Sequence, residues 1–138
     1  MNKLVVFIVA ITLGLLLCTP AFAQCENAGP DSEDAQELAS RYSNALIQGD
    51  TNELLAVLDS KLREEKSRIL NRAGYWQQLV QFYSGASFTL VDCGSVGGGE
   101  AYVTVEIRYP AGDSSRIKLW MNNSGGESLL IFREETLY

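Results

Sequence analysis

The sequence contains no histidine among its 138 residues. Histidine is the usual general base near neutral pH, the partner of Ser and Cys nucleophiles, and the commonest zinc ligand. Its absence excludes those catalytic arrangements and most zinc sites. Carboxylate, tyrosine, lysine and arginine chemistry remains, and the sequence shows no spacing typical of a metal site. We therefore expect no metal ion, no cofactor and no enzymatic activity.

Positive charge is also scarce. The chain has 11 Lys and Arg residues against 17 Asp and Glu residues, which gives a formal net charge of −6. Phosphate backbones and anionic membrane surfaces attract basic patches, and this sequence has no basic run. The composition therefore argues against nucleic acid and membranes as partners. With 46% hydrophobic residues the chain can build the core of one globular domain.

The N-terminus predicts an export signal. Lys3 precedes an apolar run at residues 4 to 17, and Ala21 and Ala23 fit the small-residue rule for a cleavage site. The run has 14 residues, whereas a membrane-spanning helix needs about 20. We expect residues 1 to 23 to be a bacterial-style signal peptide that is removed, so that the mature protein is periplasmic or secreted.

Two cysteines would remain after that cleavage, Cys25 and Cys93. An even pair in an oxidising compartment predicts a disulfide bond. The bond would close a loop of 69 residues, which corresponds to about 4 kcal/mol in the chain-entropy model. A reactive or metal-binding pair is the alternative, but the sequence has no CxxC spacing to support it.

Helical periodicity dominates the first half of the mature chain. After an irregular lead-in at residues 24 to 30, apolar residues recur at helical spacing over residues 35 to 46, and Gly49 provides a stop. The pattern then predicts a short second helix, a charged third helix over residues 60 to 72, and an aromatic-rich fourth helix after Gly74.

The second half changes to the period of two that is typical of strands. The predicted strands span residues 86 to 93, 100 to 109, 115 to 122 and 127 to 135. Their connections are short enough for an antiparallel meander. Aligning the apolar faces predicts that Leu90 pairs with Val103, that Val105 pairs with Leu119, and that Leu119 also pairs with Leu130.

Helices followed by such a meander define an α+β fold. Residues 42 to 50, Tyr-Ser-Asn-Ala-Leu-Ile-Gln-Gly-Asp, followed by Leu54, Leu55 and Leu58, resemble the opening of nuclear-transport-factor-2-like proteins. This superfamily of cystatin-like cones includes the ketosteroid isomerases. The resemblance covers most of residues 31 to 138 and implies N-terminal helices packed on a curved four-stranded antiparallel sheet. It is greatest to small exported members of unassigned activity.

The resemblance also directs attention to the inside of the cone. Enzymes of the superfamily place Asp, Tyr or His there, but the aspartates of this chain fall at helix ends, strand ends or turns. We therefore expect no acid in the cone and transfer no catalytic residue. Tyr42, Trp76 and Tyr83 remain as candidate ligand contacts in an otherwise apolar cavity, with ordinary core packing as the alternative.

The outer face of the sheet is the candidate protein interface. The predicted apolar residues of that face are Val91, Tyr102, Trp120, Leu129 and Ile131. Such patches often mark interfaces, and the resemblance implies a homodimer through the sheet. Alternatively, the lead-in folds over this face, held there by the predicted bridge from Cys25 to Cys93. Glu106 is predicted to pair with Lys118 on the same face, as a solvated charge pair.

Three functions follow from these features. The first, which we expect, is an exported binding or protein-interaction module without catalysis. The second is a small isomerase or hydrolase that acts on an apolar ligand with a tyrosine and a carboxylate; the nearest acid, Asp59, has a simpler role as a helix cap. The third is an envelope inhibitor or immunity-type protein whose acidity helps it dock on a basic partner.

Overall fold

The computed structural model describes residues 32 to 123 and 128 to 138. In these ranges, helices are followed by strands, and the predicted α+β class is confirmed. The elements are α1 (Ser32–Gln48), α2 (Thr51–Ala56), α3 (Ser60–Leu70), α4 (Tyr75–Tyr83), β1 (Ser87–Gly97), β2 (Glu100–Arg108), β3 (Ser114–Asn122) and β4 (Leu130–Leu137). The predicted signal peptide, the lead-in and Cys25 lie outside the described residues.

The helix boundaries follow from local chemistry. Gly49 adopts φ +70° and ends α1, as predicted. The Asp50 side chain then accepts a hydrogen bond from the backbone N–H of Glu53 at 3.0 Å. Asp59 does the same for Leu62 at 2.8 Å, so its predicted role as a cap is confirmed. Both carboxylates satisfy N–H groups that the first turn of a helix leaves unpaired.

The strands form an open antiparallel sheet in the order β1-β2-β3-β4, and the predicted meander is confirmed. The predicted register of the first hairpin was wrong by two residues, since Leu90 lies opposite Val105. The cause is the turn: Gly98 and Gly99 adopt φ +64° and +78°. A two-residue turn of this kind matches the twist of a hairpin, so the strands stay paired as far as Gly97.

The other two hairpins are displaced as well. Val105 pairs with Ile117, two residues from its predicted partner, and Leu119 pairs with Glu134, four residues from Leu130. These displacements are even numbers, and side chains alternate between faces with a period of two. The core-facing side of β2, of β3 and of β1 as far as Leu90 was therefore predicted correctly although the pairings were not; beyond Leu90 an irregularity shifts the register of β1.

A bulge in β4 changes which side chains face the helices. Consecutive residues of β3 pair with Ile131 and Arg133, so Phe132 is an extra residue in the strand. An inserted residue breaks the alternation of faces. As a result Ile131 and Glu134 both lie on the helix-facing side.

The hydrophobic core lies between the helices and this side of the sheet. Its buried members are Ala35, Leu38, Ala39, Tyr42, Ala45, Leu46, Leu54, Val57, Leu58, Leu90, Ala101, Val103, Val105, Ile107, Leu119, Met121 and Ile131. The junction of α2 and α3 is tied to the start of β4 through the backbone. The Asp59 N–H donates to the Ile131 carbonyl at 2.8 Å, and the Ile131 N–H donates to the Val57 carbonyl at 2.9 Å.

Candidate functional site

A cavity of about 180 Å³ lies between the helices and the β3–β4 part of the sheet. Aliphatic side chains form one half of its lining residues and side chains with a polar group form the other half, and polar atoms contribute more of its accessible wall than apolar atoms do. The lining residues are Tyr42, Leu46, Leu54, Lys66, Ile69, Leu70, Tyr75, Leu79, Tyr83, Ile117, Glu134 and Thr136. Convergent polar groups beside apolar side chains are typical of sites for small molecules.

The polar groups of the cavity centre on Glu134. The Tyr42 hydroxyl donates a hydrogen bond to Oε1 of Glu134 at 2.6 Å. Lys66 Nζ lies 2.5 Å from Oε2 of the same carboxylate. Each oxygen therefore has its own donor, which fixes the orientation of the carboxylate and balances its charge. We call these three residues the Tyr42–Glu134–Lys66 cluster.

Three different elements supply the cluster. Tyr42 lies on the buried stripe of α1, where only 4% of its surface is exposed. Lys66 comes from α3, which packs beside β4, and long lysine side chains can extend along apolar surface with the ammonium at a polar end. Glu134 reaches the cavity because it lies on the helix-facing side of β4.

The electrostatics of the site keep its two core tyrosines protonated. Burial raises the pKa of Tyr42 well above its usual value of 10.0, and the charge and hydrogen bond of Glu134 raise it further. Burial also raises the pKa of Tyr83 to about 12, with smaller contributions from Tyr109 and Glu134. Both side chains are therefore neutral phenols near pH 7, able to donate hydrogen bonds but not to act as phenolate bases.

The predicted ligand contacts are placed differently by the structure. Tyr42 and Tyr83 line the same cavity. Trp76 is not among its lining residues; it packs beside Gly49, where an added Cβ would lie 3.6 Å from the indole ring. Helix α4 instead presents Tyr75 to the cavity, because the lining positions of this helix are spaced by four residues from Tyr75 to Tyr83.

The prediction that no acid lies in the cavity was wrong. That prediction considered the aspartates only, and the acid is Glu134. The alternation of β4 gave no valid signal for it, because Leu130, which was predicted to face the core, pairs with Asn122 on the outer face, and the bulge at Phe132 then turns Glu134 inward. A carboxylate at such a position is costly unless it is partnered, and its partner Tyr42 lies 92 residues away.

The outer face of the sheet carries aromatic residues covered by cations. The rings of Tyr102 and Trp120 lie 5.4 Å apart. Lys118 Nζ is 4.0 Å from the Tyr102 ring centroid and 4.4 Å from that of Trp120. The Arg133 guanidinium lies 4.5 Å from the Trp120 ring. Such cation–π contacts hold the side chains in place.

The remaining residues of the predicted apolar interface do not complete it. Ile131 was predicted wrongly, because the β4 bulge places it in the core with 0% of its surface exposed. Leu129 packs against the core. Val91 lies at an irregularity in β1, between the paired residues Leu90 and Asp92. The predicted patch is therefore not a continuous apolar surface.

Charged groups occupy much of the outer face instead. Glu106 accepts hydrogen bonds from Arg108 and Arg116, each at 3.0 Å. The predicted partner Lys118 was wrong, because β2 and β3 pair two residues away from the predicted register. Hydrogen bonds from Arg108 and then Arg116 hold the pKa of Glu106 below its usual value. Glu106 was also predicted to be solvated, whereas only 9% of its surface is exposed.

The irregularity in β1 also moves Cys93. It lies opposite Val103 and packs against the core, whereas the sequence placed it on the outer face. The predicted place of Cys93 on the outer face was therefore wrong, and the alternative that the lead-in folds over this face concerns residues 24 to 30, which lie outside the described residues. Cys93 is not a free thiol, and its bridge to Cys25 stays a prediction.

Within the ranges that the structure describes, no group of three or more Cys, Asp or Glu side chains is placed to hold a metal ion. Over the same ranges no helix has the length and apolar character needed to cross a membrane. In comparisons with known proteins, no family model, curated protein or solved structure matches the chain.

Proposed function

We propose that the protein is an exported binding module that holds one small, largely apolar molecule in the cavity and does not convert it. The leader pattern supports export, and the resemblance to nuclear-transport-factor-2-like proteins supports a ligand between helices and sheet. A fold alone supplies no function. The proposal therefore rests on the composition of the cavity wall.

The single observation that carries the proposal is the placing of the Tyr42–Glu134–Lys66 cluster beside six aliphatic side chains in a cavity of about 180 Å³. A cavity of about 150 Å³ is large enough to accept benzene. By its size, the cavity therefore suits a molecule with one six-membered ring. The nearby phenol of Tyr83 and the cluster favour a ligand that carries one uncharged hydrogen-bonding group, such as a carbonyl or a hydroxyl.

The internal contacts of Glu134 favour binding over catalysis. A general base must approach the proton that it removes within hydrogen-bond reach. Both oxygens of Glu134 already have donors within the protein, Tyr42 and Lys66. A ligand would have to displace one of them before the carboxylate could act on it.

One observation supports a second candidate function. The isomerase alternative required a carboxylate within hydrogen-bond reach of Tyr42 or Tyr83, and Glu134 lies 2.6 Å from the Tyr42 hydroxyl. In that function Glu134 would remove a proton beside a carbonyl group, and a tyrosine hydroxyl would donate to the carbonyl oxygen.

Cyclohexanone tests both functions in one experiment, because it has the proposed ring and carbonyl. We would titrate isotope-labelled protein in D2O and follow two NMR signals: the amide shifts of the protein and the exchange of the ketone α-protons. Saturable shifts confined to cavity-lining residues, without accelerated exchange, are the expected result. The dissociation constant should lie in the millimolar range, about −4 kcal/mol, given the small size of the probe.

Matched variants identify the site and the chemistry. Leu79→Trp fills the cavity and should abolish the saturable shifts, whereas Gln77→Trp, on the exposed side of the same helix, should not. Accelerated exchange that is lost in Glu134→Gln but kept in Glu135→Gln would instead establish the second function. Absence of saturable shifts with cyclohexanone, cyclohexanol and phenol would contradict both functions.

A further inference from the structure

Helix α4 presents an uncharged surface on an acidic molecule. Residues 73 to 91 contain no Asp, Glu, Lys or Arg, although the chain has a net charge of −6. The first turn of α1, by contrast, carries Glu33 and Asp34. Two acidic molecules repel each other, and the repulsion is smallest where they meet through surfaces without charge.

The exposed side of α4 has a regular pattern. Tyr75 is 37% exposed and Phe82 is 60% exposed, and Gln78 is exposed between them. Their spacing of three and then four residues places all three on one face of the helix. Tyr75 also lines the cavity, together with Leu79 and Tyr83, so it lies at the border between the cavity and the exposed side of the helix. We call the exposed positions Tyr75, Gln78 and Phe82 the α4 face.

Phe82 is a fixed feature of this face. Its ring centroid lies 5.1 Å from that of Tyr83 in an edge-to-face contact and 5.0 Å from that of Tyr109. A large apolar side chain that is already held in place loses little conformational freedom when a partner covers it. Aromatic residues of this kind are enriched among the residues that dominate interface energies.

We propose that the α4 face binds the same face of a second copy of the chain, with a two-fold axis beside Gln78. In a two-fold contact the same patch meets itself, so it must be self-complementary. Gln78 lies midway between the two aromatic residues, and an antiparallel pair of helices therefore sets Tyr75 against Phe82 of the other copy. The Gln78 amide both donates and accepts hydrogen bonds, so two copies of it satisfy each other.

The contact is small, and this sets its strength. One helix of nine residues buries less than the roughly 1,200 Å² of a standard interface. The dimer is therefore weak and reversible, with a dissociation constant on the order of 10 to 100 μM. Of the three residues of the α4 face, Tyr75 also lines the cavity; self-association and ligand binding are nevertheless measured separately, so that failure of one is distinguishable from failure of the other.

Sedimentation velocity of the unreduced full chain, as recovered from its host, tests the proposal over a wide range of concentration. The wild type should shift from monomer to dimer as its concentration rises. Gln78→Lys and Gln78→Glu should each weaken self-association at least about tenfold, because each places like charges across the axis. An equimolar mixture of the two variants should restore the dimer.

Controls make the result specific. Gln77→Lys and Gln77→Glu change the charge at an exposed position of the same helix outside the α4 face, and Trp120→Glu changes the outer face of the sheet; all three should associate like the wild type. A wild type that stays monomeric at about 1 mM, tenfold above the expected range, would overturn the proposal. So would a mixture that does not restore association, or a dimer that Trp120→Glu abolishes, since that dimer would use the sheet.

Discussion

At the scale of single residues, the polar contacts of the cavity depend on the carboxylate of Glu134 and its two partners. In the sequence Glu134 is one of several acids near the C-terminus. In the fold its carboxylate lies at the cavity, and each oxygen contacts a donor from a different helix. An unpartnered carboxylate there would cost several kcal/mol. The energetic role of Glu134 therefore depends on residues that local sequence patterns cannot connect to it.

The hydrogen bond from Tyr42 should be measurable by removing one oxygen atom. Tyr42→Phe is expected to lower the free energy of unfolding by about 2 kcal/mol, because the lost bond goes to a charged acceptor. Tyr109→Phe is the matched control; it removes a neutral hydroxyl pair with Ser115 and should cost about 1 kcal/mol. Urea unfolding measures both, and equal losses would contradict the ionic character assigned to the Tyr42 contact.

The buried tyrosines predict a loss of stability at high pH. The folded-state pKa values of Tyr42 and Tyr83 lie above the usual 10.0, so above that pH the unfolded chain binds fewer protons than the folded one. Stability should thus be unaffected by these groups below pH 10 and should fall as pH rises towards about 12, the pKa of Tyr83.

Denaturation at several pH values, together with phenolate absorbance, tests whether the free energy of unfolding falls as pH rises above 10. The fall should be shallower in the double variant Tyr42→Phe and Tyr83→Phe. Tyr138→Phe removes a fully exposed hydroxyl and should leave the slope unchanged. An identical slope in the double variant would show that other groups cause the loss.

At the scale of elements, each helix end is determined by residues next to it in the sequence, whereas the register of the strands depends on turns and irregularities elsewhere in the sheet. Gly49, Asp50 and Asp59 act within one turn of their own positions, and their roles were therefore predictable. The register was not, because it depends on the glycine turn after Gly97 and on irregularities in two strands. A single added residue such as Phe132 moves every later side chain to the other face, and no local pattern marks it.

Gly49 is constrained both by its left-handed backbone conformation and by the close approach of Val80, and the two effects on stability can be measured separately. It has φ +70°, and an added Cβ would lie 2.9 Å from Cγ2 of Val80. Gly74 has a similar φ of +78° with no atom within 4 Å of such a Cβ. Gly74→Ala should therefore cost about 1 kcal/mol for the left-handed backbone alone.

Gly49→Ala should cost about 1 to 3 kcal/mol more, because α1 and α4 must also move apart. Thermal and urea unfolding of the two variants give the comparison. Equal losses would mean that Val80 rearranges freely, and that the close approach of the two helices does not limit stability.

At the scale of the whole molecule, the predicted bridge from Cys25 to Cys93 would tie the N-terminal lead-in to the sheet. The bond would close a loop of 69 residues, and its loss is expected to cost about 4 kcal/mol in the chain-entropy model. Cys25→Ser and Cys93→Ser should then destabilise the protein alike, and a reducing agent should add nothing to either.

Peptide mapping without reduction identifies the bond directly. Cys93 packs against the core, so a loss confined to Cys93→Ser would indicate a packing effect only. A wild type whose stability does not change on reduction would contradict a stabilising bridge.

The hydrogen bond from Tyr42 to Glu134 joins positions 92 residues apart, and this separation has a kinetic consequence. Contacts between distant positions form late, since a long loop must close before they contribute. Synthesis delivers β4 after the seven other described elements, so Tyr42 stays without its acceptor until β4 has docked. A chain truncated before residue 130 would lack both Glu134 and the backbone anchor of the α2–α3 junction. The cavity is thus among the last parts of the molecule to form.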